Sequence, residues 1–213
     1  MPPDRDVHAF DVRAPEYERG RIGSFHRDIA DRTIALTQAT APGARRILDV
    51  GCGTGYLLRE LARLLPAATD LQGVDAAPGM VRAAREAAPA DPRLTFTEGF
   101  VEKLPFLARS FDLVVSTTSF DHWADQQRGL RECARVLTPG GQLVLTDLFS
   151  LWLIPTLVTS HRGRAQTLRR ATRLVRAAGF RSIRWHRIYT ILLRTVTATI
   201  PVEGAASDLG ASS

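Results

Sequence analysis

The 213-residue chain predicts an α/β fold: one Rossmann-like open sheet of about seven strands, mostly parallel, with helices on both faces. Three observations carry that prediction. Strand-like and helix-like segments alternate along most of the chain. Phe111–Ser116 is mostly apolar, as a strand covered on both faces should be. A glycine-rich turn, Gly51-Cys52-Gly53-Thr54-Gly55, stands between the first strand and the helix after it. Such alternation implies parallel strands joined by right-handed crossovers.

The elements follow in order. Ser24–Thr40 reads as a helix closed by Pro42-Gly43. Arg46–Val50 is a short apolar strand, and Thr54–Leu65 has leucines at helical spacing before Pro66 stops it. Leu71–Asp75 is a second strand. Pro78–Ala88 is a helix whose proline suits its first turn. Leu94–Thr97 and Phe111–Ser116 are the third and fourth strands. Ala124–Leu137 is a helix ended by Thr138-Pro139-Gly140-Gly141, and Gln142–Thr146 is the fifth strand. Gln166–Ala178 is a helix capped by Gly179. Arg181–Ile188 and Tyr189–Ile200 are strands with almost no gap between them, so they are expected to form a hairpin with one strand antiparallel.

Length and composition predict a single domain over residues 1–213. The ends, 1–6 and 201–213, are small, polar or proline-bearing and are expected to be flexible. Residues 10–40 form an N-terminal helical cap, and 148–165 a segment on the substrate side. The apolar run Leu148–Val158 is interrupted by Pro155 and falls short of the ~20 residues of a spanning helix, so no stable membrane insertion is expected. No signal peptide is evident, and Cys52 and Cys133 lie far apart without metal-ligand spacing; a reduced, cytoplasmic protein with no metal is the simple expectation. The net charge is +6, almost all from arginine, since Lys103 is the only lysine. The arginines are spread among alanines, and the densest cluster, Arg162 to Arg176, has apolar residues at helical spacing. That pattern reads as a solvated helix face rather than a nucleic-acid surface.

The glycine turn lets a ligand approach the backbone without a Cβ in the way, and the helix amides behind it favour a polar group. A dinucleotide site wants Gly-x-Gly-x-x-Gly; counted from Gly51, the last position is Tyr56. The spacing is instead Gly51-x-Gly53-x-Gly55, preceded by Asp49. This run resembles the first motif of class I S-adenosylmethionine-dependent methyltransferases, in the type 11, quinone-biosynthesis-like branch. The resemblance covers roughly Asp11 to Thr199.

Further segments support it. Gly73-Val74-Asp75-Ala76-Ala77-Pro78-Gly79-Met80 matches the second motif. There the residue at Asp75 accepts both ribose hydroxyls and that at Met80 lies near the adenine, although an aspartate here could also simply cap the next helix. Glu98-Gly99-Phe100-Val101-Glu102-Lys103-Leu104-Pro105-Phe106 looks like the third motif, with Phe100 where the family often has an adenine-binding aspartate. Phe100 could wall in the adenine while the Val101 amide reads the ring, or point into the core and leave the polar contact to Glu102. Ser116-Thr117-Thr118-Ser119-Phe120-Asp121-His122-Trp123 resembles the stretch near the methyl donor. Phe10-Asp11-Val12-Arg13-Ala14-Pro15-Glu16-Tyr17 resembles an N-terminal aromatic motif whose tyrosine covers the cofactor.

The resemblance thus assigns S-adenosylmethionine contacts to Tyr17, Asp49, Gly51, Cys52, Gly53, Gly55, Asp75, Ala76, Met80, Gly99, Phe100, Val101 and Ser116. His122 is the candidate base, because a neutral imidazole can take a proton near pH 7, or else it packs beside Trp123. Asp121 could orient it, though adjacent residues rarely face each other. His26 could line the same mouth. Leu148–Val158, with Phe149 and Trp152, reads as a greasy acceptor wall, a helix-packing segment, or a peripheral membrane contact. It and the final hairpin are also candidates for a homodimer surface. The expected function is methyl transfer to a small, hydrophobic or aromatic metabolite. Two other readings are a protein that binds the cofactor without methylating and, less favoured by Tyr56, a nicotinamide oxidoreductase.

Overall fold

A computed structural model of the chain describes residues 4–14, 17, 20–88, 90–149, 167–189 and 193–202. The elements are α1 (Asp4–Arg13), α2 (Gly20–Thr40), β1 (Arg46–Val50), α3 (Tyr56–Leu64), β2 (Asp70–Asp75), α4 (Pro78–Ala87), β3 (Leu94–Glu98), β4 (Phe111–Thr117), α5 (Gln126–Val136), β5 (Leu137–Leu148), α6 (Leu168–Ala177), β6 (Arg181–Arg187) and β7 (Leu193–Thr199). Short 3-10 turns occupy Val101–Lys103 and Phe120–His122.

The strands form one seven-stranded sheet in the order β3-β2-β1-β4-β5-β7-β6. The first five run parallel; β7 lies antiparallel to both β5 and β6, the hairpin expected from the missing crossover helix. The chain leaves β1 toward β2 on one side and later returns to β4 on the other. The glycine turn after β1 therefore stands at the switch point, where a crevice opens.

The strand period of two sorts the core into two layers. Leu48, Val50 and Val114 join Phe120, Trp123, Leu130, Val175 and Phe180 beneath α5 and α6. Ile47, Leu113 and Val115 face the other way, with Ile34, Leu57, Leu61, Val81 and Ala84 of α2, α3 and α4 and with Phe96 of β3. Helix α2 is also tied to the sheet by a buried hydroxyl chain, Thr33 to Thr146 at 3.0 Å and Thr146 to Thr195 at 2.7 Å.

Three boundaries differ from the sequence reading. Helix α2 begins at Gly20 rather than Ser24, and α1 already starts at Asp4. Thr138–Gly141, which ends the helix before it in the sequence reading, is an irregular part of β5. Leu137 pairs with Phe111 and Gln142 with Leu113, so β5 carries extra residues between those pairs, and Gly140 turns with φ of +79°. The excursion is held because Gly140 N donates to Ile200 O and Ile200 N to Gly141 O, pairs that sequence periodicity does not reveal.

Leu58 is fully buried on α3, the helix that seats the glycine turn. We expect Leu58→Ala to cost about 2–5 kcal/mol of unfolding free energy in a urea titration.

Candidate active site

The glycine turn is shaped by two constraints. Gly51, Gly53 and Gly55 have φ of +72°, +52° and +76°, in the left-handed region that other residues adopt at a cost. A Cβ on Gly51 would stand 2.4 Å from the Ser119 Cβ, and one on Gly55 would stand 2.6 Å from the Phe96 ring. Gly51 thus admits the loop after β4, and Gly55 lets α3 pack on β3. Gly53 is different: a Cβ there would meet only the Tyr17 ring, at 4.0 Å. Its open face is the space a ligand needs.

Asp75 fixes the turn. Its Oδ2 accepts from Gly53 N at 2.8 Å, and its Oδ1 accepts from Ala77 N at 2.9 Å, ahead of α4. Burial pushes its pKa up, while the amide bonds from Ala77, Gly53 and Ala76 pull it down. The head of α4 receives a second carboxylate, as Asp11 of α1 accepts from Gly79 N. That bond docks α1 over Met80, which is buried with Ala14 and Ala77 and packed by Phe10 and Tyr17.

Asp49 is 2% exposed, and burial together with neighbouring Asp75 raises its pKa to about 8. Its carboxyl lines the cleft beside Cys52, whose thiol is pushed well up by burial and then by Asp75 and Asp49. Buried acids this close favour a ligand that brings positive charge.

The cleft encloses about 520 Å³, counting the solvent at its mouth, and is lined by Tyr17, Gly23, His26, Arg27, Ala30, Asp49, Gly51, Cys52, Gly53, Thr54, Tyr56, Leu57, Thr117 and Thr118. Of the residues assigned from sequence, Tyr17, Asp49, Gly51, Cys52 and Gly53 meet there. Gly99 sits beyond β2, its amide donating to Asp75 O at 3.0 Å. Phe100 is 47% exposed and outside the core, whereas Val101 packs into it. Glu102 accepts from Asp125 N at the start of α5. Ser116 is fully buried; its hydroxyl meets Ser119 Oγ at 2.7 Å, beneath the cleft rather than in it. Ser119 Oγ in turn donates to Val50 O and accepts from Trp123 Nε1, so this serine knits the β4 loop to β1.

His122 lies on the 3-10 turn after β4, with Nε2 3.4 Å from Asp121 Oδ1; although adjacent, the two side chains do approach. The turn rests on Asp147, a buried acid at the end of β5 that accepts from Asp121 N at 3.3 Å and from Leu148 N at 2.6 Å. Burial, then Asp121, raises the Asp147 pKa. Phe149 is 3% exposed and packs on Trp185 at 4.9 Å, so it belongs to the core rather than to an acceptor wall. Trp152 and the remainder of the expected lid lie outside the described residues.

A row of rings crosses the mouth. His122 meets Phe10 at 5.0 Å, Phe10 meets Tyr17 at 6.3 Å, and Tyr17 stacks on His26 at 5.0 Å. His26 neighbours Phe25 at 6.2 Å, and Phe25 meets Tyr189 at 5.3 Å. Burial raises the Tyr17 pKa to about 12, so its phenol stays neutral, and burial lowers that of His26. Thr117, Thr118 and Arg27 were not singled out from sequence. Thr117 ends β4 and Thr118 follows it, so the rule that crevices open at strand carboxyl ends could have found them. Asp11 had no local signal, because its partner is 68 residues away.

Sheet order, glycine turn and switch-point acid together define a Rossmann-like methyltransferase fold. A family model described as a methyltransferase domain matches residues 48–145. A demethylmenaquinone methyltransferase of Deinococcus radiodurans is 40% identical over 136 residues, 63% of this chain and 56% of the relative. The ubiquinone/menaquinone biosynthesis C-methyltransferase of Syntrophotalea carbinolica is 35% identical over 155 residues, covering 72% and 65%. A malonyl-[acyl-carrier protein] O-methyltransferase of Methylococcus capsulatus is 31% identical over 171 residues, covering 76% and 62%. The matches thus span less than two thirds of these relatives' lengths. Among solved structures, the [4+2]-cyclase SpnF matches with a TM-score of 0.77 at 21% identity, over 93% of this chain and 96% of that one. A Haemonchus contortus phosphoethanolamine N-methyltransferase matches with a TM-score of 0.73 at 17% identity, over 94% and 61%. Residues 48–145 thus match a methyltransferase domain, and relatives 31–40% identical to the chain are methyltransferases named for quinone biosynthesis and for malonyl-[acyl-carrier protein]. Among the described residues, no helix is long and apolar enough to cross a membrane.

The raised Asp49 pKa has a definite sign in stability. The folded state holds this proton to about pH 8, while the unfolded chain releases it near ~4. The native state is therefore increasingly penalised as pH rises between those values. Asp49→Asn removes the penalty. We expect the cofactor-free variant to gain unfolding free energy over the wild type as pH rises from 5 to 8.5, by no more than roughly 5 kcal/mol, in urea titrations at each pH.

Proposed function

We propose that this protein transfers a methyl group from S-adenosylmethionine to a small, hydrophobic or aromatic acceptor by direct displacement. The observation that carries the reading is the Asp75 carboxylate bonded to Gly53 N at 2.8 Å, beside a cleft lined by buried Asp49. These residues suit a ligand with ribose hydroxyls and cationic groups. Asp75 would take the ribose, the Gly51–Gly53 backbone and Asp49 the amino-acid portion, and Tyr17 would cover it. When bound, the cofactor supplies an activated methyl group, so the protein's main task is alignment, worth ~7–11 kcal/mol. His122, supported by Asp121, is the base where the acceptor must lose a proton, adding about 10²–10⁴-fold.

The ring-lined mouth supports an aromatic acceptor, and two of the relatives are named for quinone methylation. One of these is named for carbon methylation, and the malonyl-[acyl-carrier protein] relative for oxygen methylation. A second reading, cofactor binding without methyl transfer, draws support from the [4+2]-cyclase of the same fold, because fold alone does not fix chemistry.

Isothermal titration should show binding of both S-adenosylmethionine and S-adenosylhomocysteine; no binding of either would end the proposal. Mass spectrometry after incubation with S-adenosylmethionine and a reduced naphthoquinone lacking its ring methyl should show the methylated product. His122→Ala should lower kcat about 100-fold while leaving S-adenosylhomocysteine affinity within about twofold. Equal turnover in the variant would remove His122 from the base role.

A further inference from the structure

Residues 148–202 contain ten arginines and no lysine, aspartate or glutamate. The whole chain is only +6, so the remainder is net acidic. Seven of the ten lie on two neighbouring elements. Arg169, Arg170, Arg173 and Arg176 are exposed on α6, on the side away from the buried Ala171 and Val175. Arg181, Arg184 and Arg187 are exposed on β6, the outermost strand of the sheet. Trp185 Nε1 donates to Thr172 Oγ1 at 3.0 Å, which fixes α6 alongside β6 and joins the two sets into one basic edge of the molecule.

A solvated surface normally interleaves charges of both signs, and elsewhere this chain does so. Arg46 pairs with Asp112 at 2.7 Å, Arg93 with Asp91 at 2.6 Å and Arg135 with Glu132 at 2.7 Å. Among the described residues, no arginine of α6 or β6 has a carboxylate partner; Arg181 donates to the backbone oxygens of Arg176 and Phe180. Charge on β6 alone would guard an edge strand against pairing with another chain, but α6 has no such edge to guard. Like charges gathered on both elements repel one another, and that field favours an anionic partner.

Apolar side chains decide which partner. Helix α6 runs back toward the start of β6, so its head at Leu168 and the residue Tyr189 just past β6 both lie toward the carboxyl ends of the strands. Leu148 ends β5 at that same rim, and Phe25 of α2 meets Tyr189 there at 5.3 Å. These four are 36–42% exposed. A bilayer serves both kinds of group at once: anionic headgroups for the arginines, and the interfacial layer for leucine and aromatic side chains. A nucleic-acid backbone would take the guanidiniums but offers little to Leu148 and Leu168. We propose that the α6–β6 edge docks this protein on an anionic membrane surface, with the apolar rim at the lipid. The inference goes beyond methyl transfer and does not depend on it.

The test is co-sedimentation of the full chain with two kinds of vesicle, pure phosphatidylcholine and phosphatidylcholine carrying ~30 mol% phosphatidylglycerol. At ~0.1 M salt the wild type should bind the anionic vesicles about 100-fold more tightly, and the preference should shrink as salt rises to ~0.5 M. Arg173→Gln should weaken binding to the anionic vesicles about fivefold, and Arg169→Gln, Arg173→Gln and Arg187→Gln combined should remove most of the preference. All three side chains are exposed, so the urea unfolding midpoint should stay that of the wild type. Arg63→Gln, which removes the same charge from α3 where it pairs with Glu60, should bind within about twofold of wild type. Equal binding to the two vesicles would overturn the proposal. So would an effect of Arg63→Gln as large as that of Arg173→Gln, because net charge and not this edge would then govern binding. Tighter binding of duplex DNA or of poly-glutamate than of the anionic vesicles would assign the edge to another occupant and equally overturn it.

Discussion

The Asp75 carboxylate takes one amide hydrogen from Gly53 and another from Ala77, and much of the site depends on that bridge. It joins the turn after β1 to the head of α4, two pieces that would otherwise be independent loops. Gly51 N and Cys52 N bond back to Val74 O, so the same turn is also pinned to β2. A left-handed turn of this kind is costly for most residues, and here the surrounding structure over-determines it. Asp11 adds α1 to the assembly through Gly79, which places Phe10 and Tyr17 over the crevice. Few bonds thus set a large share of the mouth.

A second constraint lies under the β4 and β5 ends. Asp147 is buried and hydrogen-bonded to backbone amides, including that of Asp121. It holds the 3-10 turn that carries His122 against the sheet. On the other face the Thr33, Thr146 and Thr195 hydroxyls form a closed polar chain that seats α2, and α2 carries His26. Both histidines therefore stand on elements fixed by satisfied buried polar groups, which suits groups that must act at a set position.

The expected fold and most of its elements were legible in the sequence for a simple reason. Parallel strands covered on both faces need mostly apolar runs, and Phe111, Leu113, Val114 and Val115 in one strand and Ile47, Leu48 and Val50 in another supply them. Amphipathic helices need apolar residues at helical spacing, and Thr54–Leu65 supplies those. The glycine spacing and Asp75 were equally local, and the resemblance to S-adenosylmethionine-dependent methyltransferases rests on them. The roles of Ser116 and Phe149 were harder. Each lies in a chemically suggestive segment, yet one is sealed beneath the cleft and the other sits in the core. Position within a motif gives proximity in sequence, whereas exposure depends on which layer covers a residue.

What the sequence determined by itself was the strand and helix order, the glycine turn and its acid. Those signals are periodicities and short spacings, and they follow from backbone sterics. What only the tertiary structure decided was which distant residues meet: Asp11 with the Gly79 amide, Tyr17 with His26, and Thr117 with Gly23, His26 and Ala30 of α2 around the crevice. These pairs join elements far apart along the chain. Their contacts arise from how helices dock on a twisted sheet, and no local pattern encodes that docking.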